Sequence, residues 1–118
     1  MDELEKAKTY LQPCLKYSCK PLKDQLAKLE EEVREVKFAL KDFKGLQTNA
    51  AREHLAIEIV DVIITSISFL YMLGYLSLEQ RLDVYRLAFL KNARHGYYNR
   101  ETPVSVKAFW DIGGGKDE

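Results

Sequence analysis

Cysteine, proline and glycine are scarce in this chain, at two, three and six residues among 118. So little glycine and proline excludes a collagen-like or low-complexity chain and fits a helix-rich globular one. Cys14 and Cys19 have no second pair and no clustered histidine beside them, which argues against both a disulfide framework and a zinc site. Net charge is missing too, because 18 basic residues balance 18 acidic ones. The electrostatic footprint of a nucleic-acid binder is therefore absent, and any charge-based function must be local. The acidic start Met-Asp-Glu-Leu-Glu has neither the basic residues nor the apolar stretch of a signal peptide, so a cytoplasmic protein with reduced cysteines is expected. No glycine-rich phosphate loop and no internal repeat is found.

What the chain does have is a high apolar content, 47%, beside 31% charged residues. A single domain over residues 1–110 can bury roughly two-thirds of its unfolded surface, and residues 111–118, opening with Asp-Ile-Gly-Gly-Gly, form a tail. The pattern predicts a short helix and a bend in the Pro13 region. From Pro21, Leu22, Leu26, Leu29, Val33, Val36, Leu40 and Phe43 recur at helical spacing until Gly45. A second long helix ends near Leu73, before Gly74. Ser77 with Gln80 marks a capping box for a helix running to about Arg94. A segment from Val104 to Trp110 is either helical or extended. Short connections imply antiparallel neighbours, hence an all-α, up-and-down helical bundle.

Inside the second long helix runs a polar stripe: His54, Glu58, Asp61, Thr65 and Ser68. Between Leu55 and Met72 the remaining residues are apolar apart from Ser66, so Glu58 and Asp61 are expected to face protein. The stretch is long enough to span a bilayer. Each carboxylate would cost roughly 2.5–3.5 kcal/mol at the membrane centre, however, and the reading is a buried helix with no membrane. Buried unpaired carboxylates cost several kcal/mol unless neutralised, paired or bound to a metal.

The first long helix carries Glu30-Glu31-Glu32-Val33-Arg34-Glu35. On a helical wheel its apolar stripe centres near Val33, Val36 and Leu40, with Glu32 about 70° away at the border of the core. Ala39 lies in the sector of Glu32 and Glu35, where its small side chain admits a neighbouring helix. Lys28 shares that sector one turn earlier, where it either pairs with Glu32 or sits in solvent, and solvent is the favoured expectation. Glu32 and Glu35 sit i, i+3, as do Glu58 and Asp61, so antiparallel packing brings four carboxylates together. An all-oxygen cluster suits a hard cation, Mg²⁺ or Mn²⁺. A di-iron centre would need Glu-x-x-His pairs, which His54 and His95 do not supply.

Glu31-Glu32-x-x-Glu35, 22 residues and then Glu58-x-x-Asp61 resembles the signature of MazG-like all-α nucleoside triphosphate pyrophosphohydrolases, over about residues 22–100. The resemblance implies Mg²⁺-dependent hydrolysis of nucleoside triphosphates to monophosphate and pyrophosphate, in nucleotide pool control or housecleaning. It places metal ligation on Glu32, Glu35, Glu58 and Asp61, with Glu31 as a helper in catalysis. Lys91, Asn92, Tyr97 and Arg100 become candidates for substrate contact. His54, one turn before Glu58, is a further candidate for touching substrate or a ligating carboxylate.

Two alternatives stay open, a non-catalytic helical oligomerisation or interaction protein and a pyrophosphatase for a phosphoribosyl-nucleotide. The apolar circumference of the second long helix also predicts a homodimer at minimum, or a tetramer by pairing of dimers, with Ile57, Val60, Ile64 and Tyr71 in the interface.

Overall fold

A computed structural model of the protein describes residues 1–99. The chain is all-α: α1 (Glu3–Tyr10), α2 (Leu22–Leu46), α3 (Asn49–Met72) and α4 (Leu78–Arg94). Among the described residues there is no strand. Arg100, the Val104 to Trp110 segment and the 111–118 tail lie outside them.

Local chemistry sets the helix ends. The Asp2 side chain caps α1 in a capping box with Glu5, and the helix stops before Pro13 can break it. Pro21, extended at φ −60°, precedes α2. Gly45 does not end α2 as the sequence pattern suggested. The chain instead turns at Gln47, which adopts a left-handed φ of 52°, a conformation costing a non-glycine residue about 1–2 kcal/mol. Thr48 immediately recovers part of that cost by capping α3, accepting from the Ala51 N–H at 3.1 Å. This short link folds α2 and α3 into an antiparallel hairpin. After α3, Gly74 takes a φ of 108° that an L side chain would resist. The expected Ser77–Gln80 capping box then starts α4, with the Gln80 N–H 3.1 Å from Ser77 Oγ.

α2 and α3 form the extensively packed helix pair. The side of α2 that meets α3 holds Glu32, Ala39 and Phe43, all buried, rather than the expected Val33, Val36 and Leu40. Val33 and Leu40 remain 38% and 37% exposed. On the helical wheel α2 is thus turned by about 70° relative to its apolar stripe, placing the Glu32 edge in the seam. Ala39, 1% exposed, permits the close approach that its size predicted.

Among the described residues the expected enclosure of α3 is not found. Thr65, Ile67 and Ser68 are buried, yet Ile57 and Ile63 are 53% and 43% exposed. The described apolar core consists of Ala39, Phe43 and Ile67. By length and composition alone α3 could cross a membrane.

Candidate metal centre

The polar stripe of α3 faces α2, and its two halves differ in how they are satisfied. In the C-terminal half, Ser68 Oγ donates to the Ile64 carbonyl at 2.8 Å and accepts from the Cys14 N–H at 2.9 Å. Gln25 Nε2 donates to the Thr65 carbonyl at 3.0 Å. These bonds tie the α1–α2 segment and the start of α2 to α3, and they hold the register of the hairpin.

The other half is short of positive charge. Glu32 from α2 and Glu58 and Asp61 from α3 each offer a carboxylate oxygen, all within 4.8 Å of one another. Glu32 is buried, at 6% exposure, and the other two are half-buried. Lys28 is not simply solvated, as its sequence position suggested. Its Nζ lies 2.9 Å from Glu32 Oε2 and 3.5 Å from Glu31 Oε1, because burial of Glu32 makes the ammonium one turn away its nearest counter-charge. His54 Nε2 lies 3.2 Å from Glu58 Oε2. The other oxygen, Glu58 Oε1, is buried and has no hydrogen-bond partner.

The electrostatics record the crowding. Burial, then the charges of Glu32 and Glu58, push the Asp61 carboxyl above its ordinary range, with Lys28 opposing. Glu35 is exposed at the rim. Its carboxyl is also raised, first by the Glu32 charge and then by the neighbouring Glu58 carboxylate. Lys28 is raised in turn, chiefly by its hydrogen bond to Glu32. Protonation or a cation relieves such a cluster, since each stabilises groups that otherwise repel. The all-carboxylate donor set and the orphaned Glu58 oxygen fit a hard divalent ion.

Of the sequence candidates, Glu32, Glu58 and Asp61 come together, with Glu35 at their rim and His54 behind Glu58. Glu31 points outward to Lys28. Lys91 lies in the last turn of α4 and Asn92 beside it is half-buried. Tyr97 is 70% exposed and stacks on His95, ring centroids 5.7 Å apart. Among the described residues no hydrogen bond or ion pair joins Lys91, Asn92 or Tyr97 to the carboxylates. The role of Lys28 was visible only as an i, i+4 spacing to Glu32, a signal that needs the burial of Glu32 to acquire meaning. Comparison with protein-family models, with curated proteins and with solved structures gives no match to this chain.

Proposed function

We propose that this chain is a Mg²⁺-dependent nucleotide pyrophosphohydrolase that converts a nucleoside triphosphate into a monophosphate and pyrophosphate. The observation that carries the reading is the meeting of Glu32, Glu58 and Asp61 within 4.8 Å across two helices, with a buried Glu58 oxygen left unbonded. The resemblance of Glu31-Glu32-x-x-Glu35 and Glu58-x-x-Asp61 to the MazG-like signature supplies the reaction class.

In this reading Glu32, Glu58 and Asp61 hold the ion, and Glu35 adds a carboxylate from the rim. When bound, Mg²⁺ screens the triphosphate charge and makes a coordinated water more acidic at neutral pH. His54 fixes one Glu58 oxygen and so leaves the other turned toward the cluster, while Lys28 does the same for Glu32. Glu31, exposed beside Lys28, is the proposed helper that orients water or substrate. The hydrolysis breaks one phosphoanhydride bond and adds the elements of water across it. Lys91, Asn92, Tyr97 and Arg100 remain the proposed substrate contacts.

The test is a screen of nucleoside triphosphates and phosphoribosyl-nucleotides with Mg²⁺, separating products by chromatography. Monophosphate with pyrophosphate is expected. Release of inorganic phosphate with a diphosphate would assign a different hydrolase class, and no turnover of any substrate would remove the enzymatic reading. Ca²⁺ is expected to bind but to support less turnover, because its longer and looser coordination positions water and phosphate less well.

A further inference from the structure

On the side of α3 away from α2 lies a groove of about 590 Å³, walled by α1, α3 and α4. Apolar residues such as Ile63, Leu70 and Leu82 make up most of its lining. The charged groups in it are Lys8 and Arg81, with no carboxylate among the lining residues. The groove is therefore oily and carries charge of one sign.

Arg81 is buried, 6% exposed, although a guanidinium is rarely taken out of water unless it is paired. One terminal nitrogen, Nη1, donates to the Tyr75 and Leu76 carbonyls at 3.0 and 3.1 Å. Those acceptors are neutral and leave the charge unbalanced. Nε is buried with no partner, and among the described residues no carboxylate pairs with the guanidinium. A buried cation held by carbonyls alone favours an anion at its side. The groove thus calls for large apolar groups and one negative charge together, which a purely apolar cover does not supply.

We propose that the segment 104–112 of the same chain lies in this groove, with Phe109 and Trp110 as its apolar filling and Asp111 as the counter-charge to Arg81. Phe109-Trp110-Asp111-Ile112 places three large apolar side chains and a carboxylate in four successive residues, the combination that the lining lacks. The connection is long enough. The chain leaves α4 at its C-terminal end, where the Tyr97 N–H donates to the Asn92 carbonyl at 3.0 Å. Arg81 lies thirteen residues back along α4 from Arg94, a rise of about 20 Å. The twelve residues from Asn99 to Asp111 can span up to about 40 Å. Covalent attachment favours this occupant over a free one, because a tethered segment acts at an effective concentration on the order of millimolar. The proposal does not rest on the hydrolase reading.

The experiment uses the full chain, in which Trp110 is the single tryptophan and its fluorescence reports on one position. A blue-shifted emission, weakly quenched by acrylamide and independent of protein concentration, is expected. Leu82→Glu places a carboxylate in the groove at a residue that is 52% exposed, so the helices should persist by circular dichroism. It should shift the emission to the red and raise the quenching constant severalfold. Arg81→Met, which removes the charge, should act in the same direction. A benzophenone amino acid at Tyr85, also in the lining, should on irradiation attach to the 101–116 peptide of its own chain, read by mass spectrometry at monomer mass. A solvated Trp110 emission in the wild type would overturn the proposal. So would emission and quenching unchanged in folded Leu82→Glu, covalent dimers from Tyr85 in place of internal links, or co-sedimentation with lipid vesicles that the Leu82→Glu variant loses while its Trp110 signal stays unchanged.

Discussion

The Lys28 ammonium reaches across one helical turn to the buried Glu32 carboxylate, Nζ to Oε2 at 2.9 Å. It is the one lysine bonded to the carboxylate cluster among the described residues, and its charge has opposite consequences for the metal-free and the metal-bound protein.

Lys28→Met should therefore destabilise the metal-free protein slightly, by about 0.5–1 kcal/mol, since half of the lysine side chain is in water and its ion pairs are screened. The same change should strengthen Mg²⁺ binding severalfold, because an ammonium beside the site competes electrostatically with the ion. Thermal unfolding without metal and calorimetric titration with Mg²⁺ measure the two effects. Weaker Mg²⁺ binding in the variant would mean that Lys28 positions Glu32 more than it repels the cation.

How much of this centre the sequence revealed depends on the range of the interaction. The hairpin, the Ser77–Gln80 cap and the facing of Glu58 and Asp61 toward α2 follow from spacing within one element, and they were readable. The 70° turn of α2 was not, because apolar periodicity locates the oily side of a helix but not which part meets a neighbour. Val33 and Leu40 accordingly stay partly open while Glu32 goes inside. Arg81 shows the same limit. Its burial depends on carbonyls of Tyr75 and Leu76 exposed by the turn at Gly74, an arrangement made in three dimensions.

Asp61→Asn and Glu58→Gln should abolish turnover and leave the helical fold intact. Each removes one charge from a cluster with too many, so the metal-free variants should be more stable than wild type. A gain of about 1 kcal/mol corresponds to roughly 4–8 °C in Tm for a domain near this size. Circular dichroism melts with a chelator present decide the point. Variants that melt below wild type would show that the carboxylates are satisfied without a cation.

His54→Ala should weaken Mg²⁺ binding about 10- to 100-fold, since the imidazole holds one Glu58 oxygen at 3.2 Å and such supporting bonds orient ligating groups. His54→Gln, which keeps a donor on that side, should recover part of the loss. If the histidine instead touches substrate, its removal will change KM while leaving calorimetric Mg²⁺ affinity unaltered.

The pH dependence of stability has a sign set by the same cluster. The carboxyls of Asp61 and Glu35 are raised in the folded protein, so the fold binds protons there more tightly than the unfolded chain does. Their contribution is favourable below the ordinary carboxylate range and is lost as pH rises through the raised values. Metal-free protein should lose stability from these two groups as the solution is brought from acid toward neutrality, opposite to an acid held in a salt bridge. Mg²⁺ favours the ionised forms, so saturating ion should flatten or reverse the slope. Urea unfolding at a series of pH values, with chelator and with Mg²⁺, measures both slopes. The Asp61→Asn variant should show a shallower slope than wild type in chelator. Equal slopes in the two proteins would mean that Asp61 is not a source of the strain.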